Sequence, residues 1–155
     1  MSVVDSAEGR TRPNLRVVKL QPAEAVRRLL VADVTRPATA SAAAVPHIVA
    51  VTFAETGGRI YTAIDHKPKS STRLTRLRNI EQNPSVSLLV GHYSPDWETL
   101  WWARVDGRAH ILEPGSAPDE AVRALRAKYP QYREASLDAP MIEIEPTRTT
   151  GWSYR

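Results

Sequence analysis

Apolar and polar positions alternate along the chain with two periods, and the elements follow from where one period gives way to the other. From Gln21, "QPAEAVRRLLVAD" sets Ala25, Val26, Leu29 and Leu30 at helical spacing, with Pro22 near the start and Glu24 in the first turn, which predicts a helix. "RPATASA" and "PHIVAVTFAE" are β-type runs, the second ending before Thr56-Gly57-Gly58. The glycine pair suits a tight hairpin, so "RIYTAI" is expected to pair antiparallel with "HIVAVTF".

Further along, "SSTRLTRLRNIEQN" spaces Leu74, Leu77 and Ile80 by threes between arginines, offers serine and threonine caps, and stops at Asn83-Pro84; it predicts a second helix. "SVSLLVGHY" reads as a buried strand and "TLWWARVDGRAHIL" as a longer one, bent or bulged at Asp106-Gly107. "PDEAVRALRAKYP" predicts a third helix, with Asp119 and Glu120 in its first turn and Lys128 near its last, and "MIEIEPTRTTGWS" alternates as a final strand. About six strands and three helices, with no repeating βαβ unit, describe a mainly β, α+β chain: a small antiparallel barrel with helices outside it.

A chain of 155 residues is the size of one domain. Residues 1–19, beginning without apolar periodicity, are expected to form a flexible amino-terminal arm, and residues 20–155 a single domain. The absence of cysteine removes disulfides, thiolate metal sites and cysteine nucleophiles. No apolar run approaches the roughly 18 residues of a membrane span, and the first residues lack an apolar signal core, so the expectation is a soluble cytoplasmic protein without a membrane partner. The formal net charge of +4 favours an anionic partner, and the placement of the cations says which.

His47, His66, His92 and His110 are scattered without ligand spacing, so no metal site is expected. No G-x-S-x-G elbow, G-x-G-x-x-G turn or Walker A loop is present. What stands out is Lys67, Lys69, Arg73, Arg76 and Arg78, the first three leading from a strand end to a helix start beside the hydroxyls of Ser70, Ser71 and Thr72. Lysine charge, free backbone N–H groups and the helix dipole together make a phosphate site there, and Pro68 stiffens the turn between the two lysines. Arg76 and Arg78 read as the solvated face of the helix. Non-specific nucleic-acid binding would want exposed aromatics among the cations, and aromatic residues make up only 6% of the chain, so no nucleic-acid partner is expected. Tyr93, Trp97, Trp101, Trp102 and Trp152 are expected mostly in core or interface packing, with room for one to wall a flat-ring pocket.

Taken in order, "PHIVAVTFA", "IYTAIDHKPK", "RLRNIEQNPSVSLLV", "DWETLWWARVDGRAHIL" and "TRTTGW" resemble the pyridoxamine 5'-phosphate oxidase-like superfamily, over roughly residues 20–155. Within it the chain is most similar to the flavin/deazaflavin oxidoreductase B group, the PPOX class of F420-dependent enzymes. The resemblance implies a six-stranded antiparallel split β-barrel of the FMN-binding type and a homodimer with two cofactor sites at its interface. Lys67 and Lys69 would hold the cofactor's phosphate or acidic tail, assisted by Ser70 and Arg73. Val51, Thr52, Thr62, Ala63 and Ile64 would border the ring, and Trp152 would cover it from the partner subunit. The implied activity is hydride transfer between reduced coenzyme F420 and a conjugated small molecule, with no catalytic residue assigned. FMN in the same pocket is the alternative cofactor, and a non-catalytic flavin or tetrapyrrole carrier the alternative role. The pattern departs from its relatives around residues 40–46, where "SAAAVPH" replaces an Asp-Gly-type hairpin, and at Pro37, which suits an edge or strand start.

Overall fold

The computed structural model describes residues 16–64 and 74–154. Three helices form where the periodicity places them. Pro22 occupies the first turn of α1 (Pro22–Val31), which buries Ala25 and Leu29, and Glu24 bonds both Arg27 and Arg28 at 2.7 Å. Those two guanidinium groups hold its carboxyl down at about 2. α2 (Thr75–Gln82) buries Leu77, Asn79 and Ile80, and α3 (Asp119–Lys128) buries Ala121 and Leu125. α2 starts without a side-chain cap at Leu74, two residues past the last of the serines and threonine expected to cap it, Ser70, Ser71 and Thr72, which lie outside the described residues.

Eight strands, rather than six, make one antiparallel sheet among the described residues. They are β1 (Val17–Lys19), β2 (Arg36–Ala40), β3 (Pro46–Ile48), β4 (Ala54–Thr56), β5 (Arg59–Ala63), β6 (Ser85–His92), β7 (Trp101–Leu112) and β8 (Met141–Tyr154). The order is β3-β2-β6-β7-β8-β5-β4, with β1 added to the far end of β8. Two departures account for the count. Val17–Lys19, within the expected arm, pair with Trp152–Tyr154. The run "PHIVAVTFAE" is not one strand on β5: Pro46–Ile48 turn back on β2, where Ala38 faces Ile48, and only Ala54–Thr56 pair with β5.

The expected six-stranded split barrel is, among the described residues, an open sheet of eight strands whose two ends, β3 and β4, are consecutive in sequence. Between them, residues 49–53 bond back beside β2 through the Val49 N–H, which donates to the Pro37 carbonyl at 3.4 Å, and through the isolated bridge of Val51 to Thr35. Pro37 stands near the start of β2, as a strand proline should, although β2 has neighbours on both sides.

The expected irregularity at Asp106-Gly107 is present. Asp106 faces Arg148 while Gly107 faces Pro146, so Thr147 is the extra residue of a bulge, and its hydroxyl donates to the Asp106 carbonyl at 3.0 Å.

Two apolar clusters sandwich the sheet. One gathers Leu20, Leu29, Phe53, Ile60, Leu88, Val105 and Ile144 with Leu77 and Ile80 of α2. The other packs Ala121 and Leu125 of α3 on Ala54, Tyr61, Ala63 and Met141. On the opposite face of β3 and β6, Ile48 and Leu89 are left 60% and 39% exposed. No helix among the described residues is long and apolar enough to cross a membrane.

Candidate functional site

The interruption between β3 and β4 has an identifiable cause. Phe53 is fully buried, so its backbone polar groups need partners, and no strand supplies them. Tyr129, at the end of α3, does so instead: its hydroxyl accepts the Phe53 N–H at 3.0 Å and lies 2.8 Å from the carbonyls of both Phe53 and Asp33. Its one proton serves one of those carbonyls at a time. Burial raises its pKa above the usual tyrosine value. Lys128 closes the corner, donating to the carbonyls of Ala32 at 2.7 Å and Leu30 at 3.4 Å while its ammonium sits 3.9 Å from the centre of the Phe53 ring. Burial lowers the lysine's pKa, and nearby Asp33 partly offsets this.

Thr52 lies in this seam. Its hydroxyl is 2.7 Å from that of Tyr132, and its backbone N–H and carbonyl make no hydrogen bond to the described residues. Replacing Tyr129 with phenylalanine is expected to destabilise the protein by about 1–3 kcal/mol, because the buried Phe53 amide loses its acceptor. Urea denaturation reads this directly, and an unchanged midpoint would refute the role given to the hydroxyl.

The ring-bordering residues named from the sequence fall into two neighbouring segments. Thr62 and Ala63 are buried at the end of β5, and Ile64 follows half-buried against the inner cluster. The β4–β5 ladder ends at Ala54 and Tyr61; extended by its register, it would set Thr52 opposite Ala63 and Val51 opposite Ile64. Both segments thus leave the same end of one hairpin. Lys67, Lys69, Ser70 and Arg73 lie outside the described residues.

Trp152 is remote from this group within one chain. Thr62 faces Ile142, and Trp152 stands ten residues further along β8, about 30 Å away at the rise of an extended strand. There it packs edge-on against Trp102 at 6.1 Å and Tyr154 at 5.0 Å.

A cleft of about 360 Å³ opens between the β2–β3 hairpin and α2, lined by Ser41, Val45, Pro46, His47, Thr75, Arg78, Asn79 and Gln82. Two ties hold its walls together: Asn79 Nδ2 donates to Thr39 Oγ1 at 3.0 Å, and Gln82 Oε1 accepts the Ala42 N–H at 3.1 Å. Among the described residues no carboxylate lines it, and none partners Nδ1 of His47, which is buried there. Arg78, expected on a solvated face, is exposed but also borders this cleft, whereas Arg76 is half-buried. That His47 and Arg78 line one cleft was not legible in the sequence, because nothing along the chain brings β3 to α2. The cleft's one legible sign was the absence of acid among "TRLTRLRN". Among the described residues no three histidine, aspartate or glutamate side chains gather as a metal site would need.

One antiparallel sheet sandwiched between helices, with a cationic cleft at β3 and a polar seam in the segment that leads from β3 to β4, defines a mainly β, α+β protein with its candidate site at the interruption of the sheet. The profile of the pyridoxamine 5'-phosphate oxidase family matches residues 22–153, and the chain belongs to that family. No curated protein matches the sequence. Among solved structures, the FAD-binding protein of Mesorhizobium loti is similar with a TM-score of 0.65 at 19% identity, over 91% of this chain and 98% of that one. The FAD-binding protein of Mycobacterium smegmatis gives 0.59 at 16% identity, over 90% and 100%. The heme storage protein HutZ of Vibrio cholerae gives 0.61 at 13% identity, over 87% and 96%. At these identities the likeness is one of fold.

Proposed function

We propose that the chain is an oxidoreductase that binds a flavin-type tricyclic cofactor at the seam, with coenzyme F420 as the leading candidate and FMN as the alternative. The observation that carries this reading is the polar edge at Thr52, whose backbone groups have no partner among the described residues, set beside the end of β5 from which the chain runs on to Lys67 and Lys69. A flat heterocycle with carbonyl and N–H groups on its rim matches such an edge, and an anionic chain matches the lysines. FAD-binding proteins of the same fold support a flavin-type ligand. The acid-free cleft with Arg78 and His47 favours the longer, acidic tail of F420 over the compact phosphate of FMN.

When bound, the cofactor supplies two-electron hydride transfer to or from a conjugated small molecule. The chain binds and orients it: Val51, Thr52, Thr62, Ala63 and Ile64 border the ring, while Lys67, Lys69, Ser70 and Arg73 hold the anionic group. Buried Phe53 and Thr62 keep water from the inner side. Since Trp152 lies about 30 Å from Thr62 along β8, it reaches a ring only from a second copy. The exposed apolar residues Ile48 and Leu89 offer a face for that homodimer.

The test is a titration of the purified protein with F420 and with FMN, followed by fluorescence, with light scattering for the assembly. Micromolar binding of either cofactor supports the reading, and tighter F420 binding chooses between them. Binding of neither overturns it. Arg78→Ala is expected to weaken F420 about three- to tenfold and FMN less, since one exposed charge is removed. A chain that binds cofactor but reduces no conjugated acceptor would be a carrier, a role to which the heme storage neighbour lends weight.

A further inference from the structure

The corner "KYPQY", residues 128–132, is unusually well anchored for a turn between a helix and an irregular segment. Pro130 opens a 3-10 turn over Pro130–Tyr132, and the Tyr132 ring stands edge-on to Tyr129 at 5.6 Å. Arg126 reaches forward along the chain, its Nε donating to the Tyr132 carbonyl at 3.1 Å and its Nη2 to the Ala135 carbonyl at 3.3 Å. Tyr129 is itself fixed by Phe53 and Asp33. All of this holds one phenol against one alcohol, Tyr132 against Thr52, at 2.7 Å.

We propose that Tyr132 is a positioning residue for the cofactor ring, acting through the hydroxyl of Thr52. This rests on the proposed cofactor site. A phenol is a far stronger acid than an aliphatic alcohol, so the shared bond is made with the Tyr132 proton. Thr52 Oγ1 accepts it, and the threonine's own proton is left directed away from the corner. The seam then presents a hydroxyl donor with a fixed bearing beside the Thr52 backbone, which has no partner among the described residues. Its complement is a hydrogen-bond acceptor on the ligand, a carbonyl oxygen or an unprotonated ring nitrogen. Without Tyr132 the Thr52 hydroxyl rotates freely, and part of its contribution goes to fixing its direction on binding.

A double-mutant cycle tests this with F420 and FMN as the probes. Tyr132→Phe and Thr52→Val are each expected to weaken binding about fivefold and to move the absorption band of the bound cofactor, while Thr52→Ser retains both affinity and band position. The double variant is expected to bind no more weakly than Thr52→Val alone, because both changes delete one linked contact. A parent protein that binds, with Tyr132→Phe matching it in affinity and spectrum, overturns the role of Tyr132 and leaves the cofactor site standing. Strictly additive losses overturn it too. If the parent binds neither probe, the cofactor site falls and this inference falls with it. Should Tyr132→Phe fail to fold, Thr52→Val and Thr52→Ser read the same pair from its other side, and equal binding by those two overturns the proposal.

Discussion

Replacing Gly107 with valine is expected to cost about 3 kcal/mol or more and to lower the melting temperature by roughly 6–12 °C. Gly107 is buried at the β7–β8 bulge, where a Cβ would meet the Glu145 carbonyl oxygen at 2.6 Å and Ile144 Cγ2 at 3.0 Å. The first of those is backbone in the middle strand of the sheet, so no rotamer relieves it. Gly58→Ala is the comparison. Gly58 has φ of +79° in the β4–β5 turn with nothing within 4 Å of its missing Cβ, so it bears backbone strain of about 1–2 kcal/mol and no collision. Calorimetry on both variants separates the two costs, and equal losses would show that the bulge tolerates a side chain.

Lys69→Ala is expected to weaken cofactor binding about tenfold to a hundredfold while leaving the unfolding midpoint in place. On the proposed site a charge-assisted bond to the anionic group would be lost. Arg123→Ala, on the exposed side of α3, serves as the control and is expected to leave affinity unchanged. A folded Lys69→Ala protein with parental affinity would move the anion elsewhere, and the acid-free cleft beside Arg78 would be the place to look.

What could be read from the residues alone was whatever is decided locally. The three helices are set by Pro22, by the spacing of Leu74, Leu77 and Ile80, and by Asp119 and Glu120, all of which act within a turn or two. The bulge was legible for the same reason, Asp106-Gly107 being a poor fit to an unbroken strand. The division of "PHIVAVTFAE" was not legible, because its apolar pattern is continuous and the division depends on a tyrosine hydroxyl 76 residues away. β1 escaped notice because "VVK" is too short to carry a period, and its place on β8 is a matter of packing rather than propensity. The site divides the same way. Val51, Thr52 and Thr62–Ile64, proposed from motif, leave one end of the β4–β5 hairpin, while His47 and Arg78 come to line one cleft only through the fold.

The strand that organises this sheet is the last of the described elements along the chain. β8 pairs with β7 over its whole length, with β5 at its start and with β1 at its end, where Val17 meets Tyr154. Until it is in place, β5 and β7 each lack a neighbour, and the inner cluster lacks Ile142 and Ile144. Assembly therefore waits on the most distant contacts in the molecule, which makes folding slow relative to a helical protein of equal size. During synthesis the earlier strands stand with open edges, so the growing chain passes through a period in which it depends on chaperones or on dilution to avoid pairing with its own kind.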